Sequence, residues 1–217
     1  MNGLERQSIG FLIVLAAFAL ACGLLDDDDT NVTHEEAIPF SFDIDANELC
    51  PQDDPAVDCD AEEDAPTDVE LEPIEFAVDI DVVEKTGNEE LRDYTNAFRS
   101  IEITSIEYQA ANNDLNFDLP DTTLYLGPLG SERTDDEGVV ELATIPEIAA
   151  GQDDSGRATV AQAGRDASSE LLQNLEAAAV AYAQPVIEEG EPLPPSGDAT
   201  MNITINVEFT ANPQDAL

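Results

Sequence analysis

Ala199-Thr-Met-Asn-Ile-Thr-Ile-Asn-Val-Glu-Phe209 alternates without a break. Ala199, Met201, Ile203, Ile205, Val207 and Phe209 share one parity, and Thr200, Asn202, Thr204, Asn206 and Glu208 share the other. Successive side chains of a strand point to opposite faces. A period of two therefore predicts a long strand with one face in a core and one in water. Ile74-Glu-Phe-Ala-Val-Asp-Ile-Asp-Val82 and Ile38-Pro-Phe-Ser-Phe-Asp-Ile-Asp45 repeat the pattern. Pro39 lacks a backbone donor, which places it near a strand start or on a sheet edge.

Between these strands the reading is more mixed. Gly87-Asn88 ends the second strand, and Asn88 is suited to cap a short helix through residue 98, where Leu91, Tyr94 and Phe98 recur at helical spacing. Residues 101–108 read as a strand with apolar side chains on both parities, as a central strand has. Short strands are expected at 115–119, 122–126 and 139–145, and a loop at 150–158. Thr159-Val-Ala-Gln162 has the spacing of a capping box, with a helix following toward Ala178 and weakened by Gly164. Residues 179–183 extend that helix or form a strand, and strand is preferred. The fold class expected is mainly β: an antiparallel two-sheet sandwich with one or two short helices. The strand–turn–strand pattern around Asn112-Asn113 resembles immunoglobulin-like and late-embryogenesis-type sandwich domains, a resemblance that implies fold alone.

The N-terminus carries a different signal. Residues 11–21 are apolar and end in Ala19-Leu20-Ala21-Cys22-Gly23. The run is shorter than the roughly 20 residues of a membrane span and has the layout of a secretory signal. It resembles the lipobox of a bacterial lipoprotein. The resemblance implies cleavage before Cys22, diacylglycerol on its sulfur, and attachment to the membrane through lipid. By analogy with such proteins, Gly23 in place of Asp favours the outer membrane, on its periplasmic side or at the cell surface. The expected organisation is a signal peptide over 1–21, a lipidated Cys and acidic tether over 22–37, and a sandwich over 38–212. An Asp-rich disulfide loop is expected at 46–72.

Composition narrows the partners. The 217 residues contain 49 acidic and 7 basic side chains, a formal net charge of −42. Nucleic-acid binding needs clustered Lys and Arg, so no nucleic-acid partner is expected. Anionic headgroups are repelled as well, and the lipid must supply the membrane affinity. Solubility in a salty medium, divalent-cation binding and a basic partner each account for such acidity. With Cys22 acylated, Cys50 and Cys59 form an even pair in an exported chain, which reads as a disulfide.

Catalytic patterns are scarce. His34 is the single histidine and falls in the expected tether, so Ser-His-Asp and Cys-His machinery and a His-based zinc site are not expected in the folded domain. No phosphate loop, nucleophile elbow or dinucleotide fingerprint is present. Asp43-x-Asp45-x-Asn47 begins like a calcium loop, but Glu48 stands where the turn needs Gly, and Asp43 and Asp45 fit outward strand positions. Asp53, Asp54, Asp58 and Asp60 around the disulfide are the better candidates for Ca²⁺, because a bridge would hold their carboxylates together. The function expected is a non-enzymatic envelope lipoprotein with a structural or binding role and no required cofactor. A calcium-dependent adhesion module is the alternative, and an envelope hydrolase ranks below both.

Overall fold

The computed structural model describes residues 31–51 and 63–215. In chain order its strands are β1 (Val32–Asp45), β2 (Glu63–Asp64), β3 (Val69–Glu70), β4 (Ile74–Asp81), β5 (Phe98–Ala111), β6 (Thr122–Gly127), β7 (Val140–Ile145), β8 (Asp154–Arg157), β9 (Thr159–Val160), β10 (Glu176–Ala183), β11 (Val186–Ile187), β12 (Pro192–Leu193) and β13 (Asp198–Ala211). The helices are α1 (Val82–Thr86) and α2 (Gln162–Leu171). One sheet has the order β1-β13-β5-β8 and the other β4-β10-β6-β7-β9, with antiparallel pairing throughout. Their inner faces share one hydrophobic cluster, so the fold is a β-sandwich. Two small pairs, β11-β3 and β12-β2, tie down the loops at one end.

The alternating stretch that ends the chain lies at the middle of this plan. Over its whole length β13 pairs with β1, from Val32↔Ala211 to Asp45↔Asp198, and on its other side with β5. Ala199, Met201, Ile203, Ile205, Val207 and Phe209 are each at most 3% exposed. On β1 the same parity buries Ile38, Phe40, Phe42 and Ile44. Phe42 stacks on Phe76 of β4, ring centroids 4.9 Å apart, joining the two sheets near their edges.

The two-faced reading of β5 has a local cause. The register against β13 shifts between Asn206↔Ser105 and Val207↔Ile103, which is a β-bulge. Before it Ile101 and Ile103 face inward; after it Ile106, Tyr108 and Ala110 do. The extra residue flips parity, so one buried face appears in the sequence as two half-apolar ones.

Four other expectations change. β1 begins at Val32, so residues 32–37 belong to a strand and not to a tether; their backbone pairs with the end of β13 although their side chains are mostly exposed. Leu115, Phe117 and Leu119 are buried but form no strand: the segment bonds irregularly, through Leu119↔Ile148 and from Asn116 N to Ser196 O. The 150–158 loop contains the edge strand β8, whose Gly156 sits where a Cβ would meet the Tyr108 ring at 3.0–3.2 Å. Thr159 opens β9 and not a helix; α2 starts at Gln162 with no side-chain cap.

Two observations explain where α2 sits and stops. A Cβ at Gly164 would lie 2.8 Å from the Leu142 Cα, so glycine is the condition for the helix to rest on β7. Beyond Leu171 the Ala-rich run turns, with Leu175 at φ 60°, and becomes β10. Alanine favours helix in isolation, but β10 is hydrogen-bonded on both sides, by β4 and β6, and Ala177, Ala179, Ala181 and Ala183 enter the core. The strand reading of 179–183 is the one the structure adopts.

At its far end α2 also finishes a sheet edge. β8 covers β5 only from Glu107 to Ala110. Closer to the start of β5, the Ser168 hydroxyl donates to Ile101 O at 2.8 Å, and Ile101 N donates to Ser169 Oγ at 2.9 Å. Ser168 is fully buried. Ile101 O also accepts from the Ser169 hydroxyl at 2.9 Å, so replacing Ser168 by Ala removes one of two donors and costs about 0.5–1.5 kcal/mol. Chemical denaturation of Ser168→Ala is expected to show that loss, and the exposed Ser155→Ala no measurable change.

Candidate functional site

Several residues singled out in the sequence fall outside the described residues: Ala19, Leu20, Ala21, Cys22, Cys59, Asp53, Asp54, Asp58 and Asp60. Cys50 is described. It is 3% exposed and disulfide-bonded. Asp43 lies on the outward face of β1 and accepts from the Thr200 hydroxyl at 2.8 Å. Asp45 accepts from Asn47 N and caps the 3-10 turn Ala46–Leu49. Both are exposed and occupied with backbone or neighbouring hydroxyl donors, as outward positions allow. Among the described residues no group of three or more His, Cys, Asp or Glu side chains is placed to hold a metal ion.

The described aspartates have a local use that composition does not reveal. At the end of the sandwich where β1 and β5 finish and β13 begins, four of them clamp one loop to another. Asp118 accepts from Ala150 N at 2.8 Å and Asp121 from Glu147 N at 2.9 Å. Asp153 accepts from Asn113 N at 2.9 Å, and Asp68 from Glu189 N at 3.0 Å. Asp114 accepts from Asp198 N across the same end. Elsewhere Asp81 caps α1 and Asp79 takes Gly130 N. A short carboxylate reaches a backbone N–H with little rotamer entropy lost, and such bonds stabilise loops that have no ladder of their own. These same loops carry no Lys or Arg among the described residues, so this end is acidic throughout. It holds a cavity of about 410 Å³ lined by Asp68, Asp118, Glu147, Glu188 and Glu191 with Asn116 and others.

The opposite end, where β1 begins and β13 ends, brings together a site that the sequence did not suggest. His34 is part of β1, not of a tether, and shares its inward parity with Glu36 and Ile38. Its Nε2 lies 2.7 Å from Glu36 Oε1. Asn88 Nδ2 donates to the same oxygen at 2.6 Å. Asn88 meanwhile caps the 3-10 turn Glu89–Tyr94, its Oδ1 accepting from Glu90 N. The cap anticipated at Asn88 is present, but the helix is a 3-10 turn, and Phe98 already starts β5. The Glu36 side chain is 13% exposed against 57% for His34, so the carboxylate is the buried anchor and the imidazole the rim. Beside them a cavity of about 220 Å³ is lined by His34, Asn88, Glu90 and four larger side chains, Leu91, Tyr94, Phe98 and Phe209. The sequence traces of this site are the cap at Asn88, the spacing of Leu91, Tyr94 and Phe98, and the shared parity of Glu36 and His34, one and two alternating steps before Ile38.

Two further electrostatic features lie outside this site. Burial, and then the bond from its hydroxyl to Asp154 at 3.2 Å, push the Tyr108 pKa above its usual value. The exposed Arg133–Asp135 pair, 2.9 Å apart, holds the Asp135 carboxyl below the ordinary range through the hydrogen bond from Arg133.

No family model and no curated protein matches this chain. Among solved structures, a chain of Desmodium yellow mottle tymovirus overlaps 90% of this chain and 95% of its own length at 11% identity, with a TM-score of 0.27. Infectious bursal disease virus, Gt strain, overlaps 93% of this chain at 9% identity and a TM-score of 0.32, and this chain spans 39% of that one. A Penaeus vannamei nodavirus structure overlaps 99% of this chain and 66% of its own at 11% identity, TM-score 0.27. Overlaps at these values carry no argument about what this chain does.

The expected pairing of Cys50 with Cys59 has a direct test. Native full-length Cys22→Ser protein is expected to resist a maleimide reagent until reduced, then to take up two labels. Ready labelling before reduction removes the pairing.

Proposed function

We propose that this chain is a lipid-anchored, non-enzymatic protein of the bacterial envelope whose β-sandwich serves a structural or binding role. The observation that carries the reading is the run of residues 11–22 with Ala19-Leu20-Ala21-Cys22 at its end. Cys22 precedes the first residue of β1 by ten positions, so the anchor would reach the sandwich through a short acidic segment containing Asp26-Asp27-Asp28-Asp29. Acyl chains suit this chain physically. A net charge of −42 opposes contact with anionic headgroups, whereas each buried methylene contributes about 0.8 kcal/mol, and two or more chains hold stably. Among the described residues no helix is long and apolar enough to cross a membrane.

A binding role draws support from the two ends of the sandwich. Each has a cavity bounded by loops or turns. Many loop aspartates engage backbone N–H groups, which supplies a structural reason for them alongside the solubility that net charge confers.

Expression in a diderm bacterium with labelled palmitate is expected to label the wild-type chain and to leave Cys22→Ser unlabelled and uncleaved. Equal labelling of the two overturns the anchor. A calcium titration read by thermal melting addresses the alternative. The reading proposed here expects the same Tm with and without millimolar Ca²⁺. Ca²⁺ at a hundred times its Kd would contribute about 2.7 kcal/mol and raise Tm by several degrees, and that result would favour the adhesion module centred on Asp53, Asp54, Asp58 and Asp60.

A further inference from the structure

We infer that the cavity beside His34 is a binding site for a small organic ammonium compound, one with an apolar body and a positively charged head. This names a ligand class for the binding role proposed above, and it does not depend on the lipid anchor.

The inner wall is apolar. Leu91 and Phe209 are buried, Tyr94 and Phe98 are half-buried, and the Phe98 and Phe209 rings lie 5.3 Å apart, tilted by 44°. An aromatic face attracts a cation through its quadrupole, and the attraction grows as water is excluded. The rim is anionic. Glu90 lines the mouth and is exposed, and Glu36 stands behind His34 with its side chain largely buried. Among the described residues no Lys or Arg lines the cavity. The nearest basic residues in sequence are engaged elsewhere: Arg92 with Asp81 at 3.7 Å, and Arg99 with Asp215. A ligand carrying negative charge would meet the Glu90 carboxylate at the mouth and Glu36 behind His34, with no Lys or Arg among the described lining residues, in a chain of net charge −42. A cationic head on an apolar body meets what the walls provide.

The walls are also held in place before any ligand arrives. Glu36 accepts from both His34 and Asn88, which fixes the imidazole against the rim. Asn88 caps the 3-10 turn that carries Glu90, Leu91 and Tyr94. A single carboxylate thereby connects β1 to the turn forming the opposite wall. Pre-organisation of this kind lowers the ordering cost of binding. The cavity volume of about 220 Å³ lies below that of sites for drug-sized molecules, so the ligand is small.

The test uses the full chain and three probes of similar size: benzyltrimethylammonium, benzyl alcohol and benzoate. Calorimetry is expected to show saturable binding of the ammonium probe, binding of the alcohol weaker by about two- to fivefold, and no binding of benzoate. In the proton NMR spectrum the ammonium probe is expected to shift Tyr94 and Phe98 ring signals. Glu90→Gln, an exposed change that leaves the Tm alone, should weaken the ammonium probe by about two- to fivefold and leave benzyl alcohol unchanged. Asp118→Asn removes the same charge at the other end of the sandwich and should change neither. Three results overturn the inference: no saturable binding of the ammonium probe, equal affinity for the alcohol, or equal losses in Glu90→Gln and Asp118→Asn. The last assigns the effect to net charge. Failure here leaves palmitate labelling of Cys22 untouched, and failure of labelling leaves this binding untouched.

Discussion

The pairing of β13 with two long neighbours is the constraint on which the domain depends. It is 14 residues long, and β1 and β5 match it almost end to end. Its inward residues form the floor of the core, and its backbone fixes the register of both partners. A slip of one residue would carry Met201, Ile203, Ile205 and Val207 into water and Asn202, Thr204 and Asn206 into the core. Strict alternation makes that slip very costly, so register follows directly from the pattern. The remaining strands adapt to this frame: the β5 bulge restores inward parity, and α2 supplies donors and acceptors to β5 where β8 does not reach.

The acidity of the chain then has two levels of explanation. Net charge governs solubility and association. Individual aspartates, however, are placed by hydrogen bonding. At the end of the sandwich where long loops meet, Asp68, Asp118, Asp121 and Asp153 each accept a backbone N–H from a different loop. Such loops cannot satisfy their donors by strand pairing, and Asp at the right position does so at short reach. Counting carboxylates cannot separate an aspartate that clamps a loop from one that only solvates the surface.

The opposite end shows how a polar group can organise an apolar space. Glu36 continues the inward parity of β1 past the last large hydrophobic residue, Ile38, where the core runs out. A carboxylate there must find partners, and it finds His34 from its own strand and Asn88 from the turn across the gap. Those bonds prop the turn over Phe98 and Phe209 and leave the cavity between them. In sequence His34 looks like part of a tether, because Glu35 and Glu36 beside it continue the acidic character of the preceding run. The backbone pairing that makes this segment a strand comes from residues 207–211, far away in sequence.

Alternation over 38–44, 74–80 and 199–209 by itself determined that this is an antiparallel β protein with one buried face per strand, because strand parity is a local property of the chain. The cap at Asn88 was legible for the same reason, whereas Gly87, read as the end of the second strand, closes α1, because that strand already ends at Asp81. Tertiary structure alone decided the rest. The Ala-rich run became β10 and not more helix because two neighbouring strands complete its hydrogen bonds. Leu115, Phe117 and Leu119 were buried without forming a strand because their partners are loops. The apparent two faces of β5 resolved into one only through its register against β13. The site at Glu36, His34 and Asn88 joins residues 52 and 54 positions apart. No local pattern encodes a contact of that range, since it exists only after the two sheets have brought the start of β1 against the turn that follows α1.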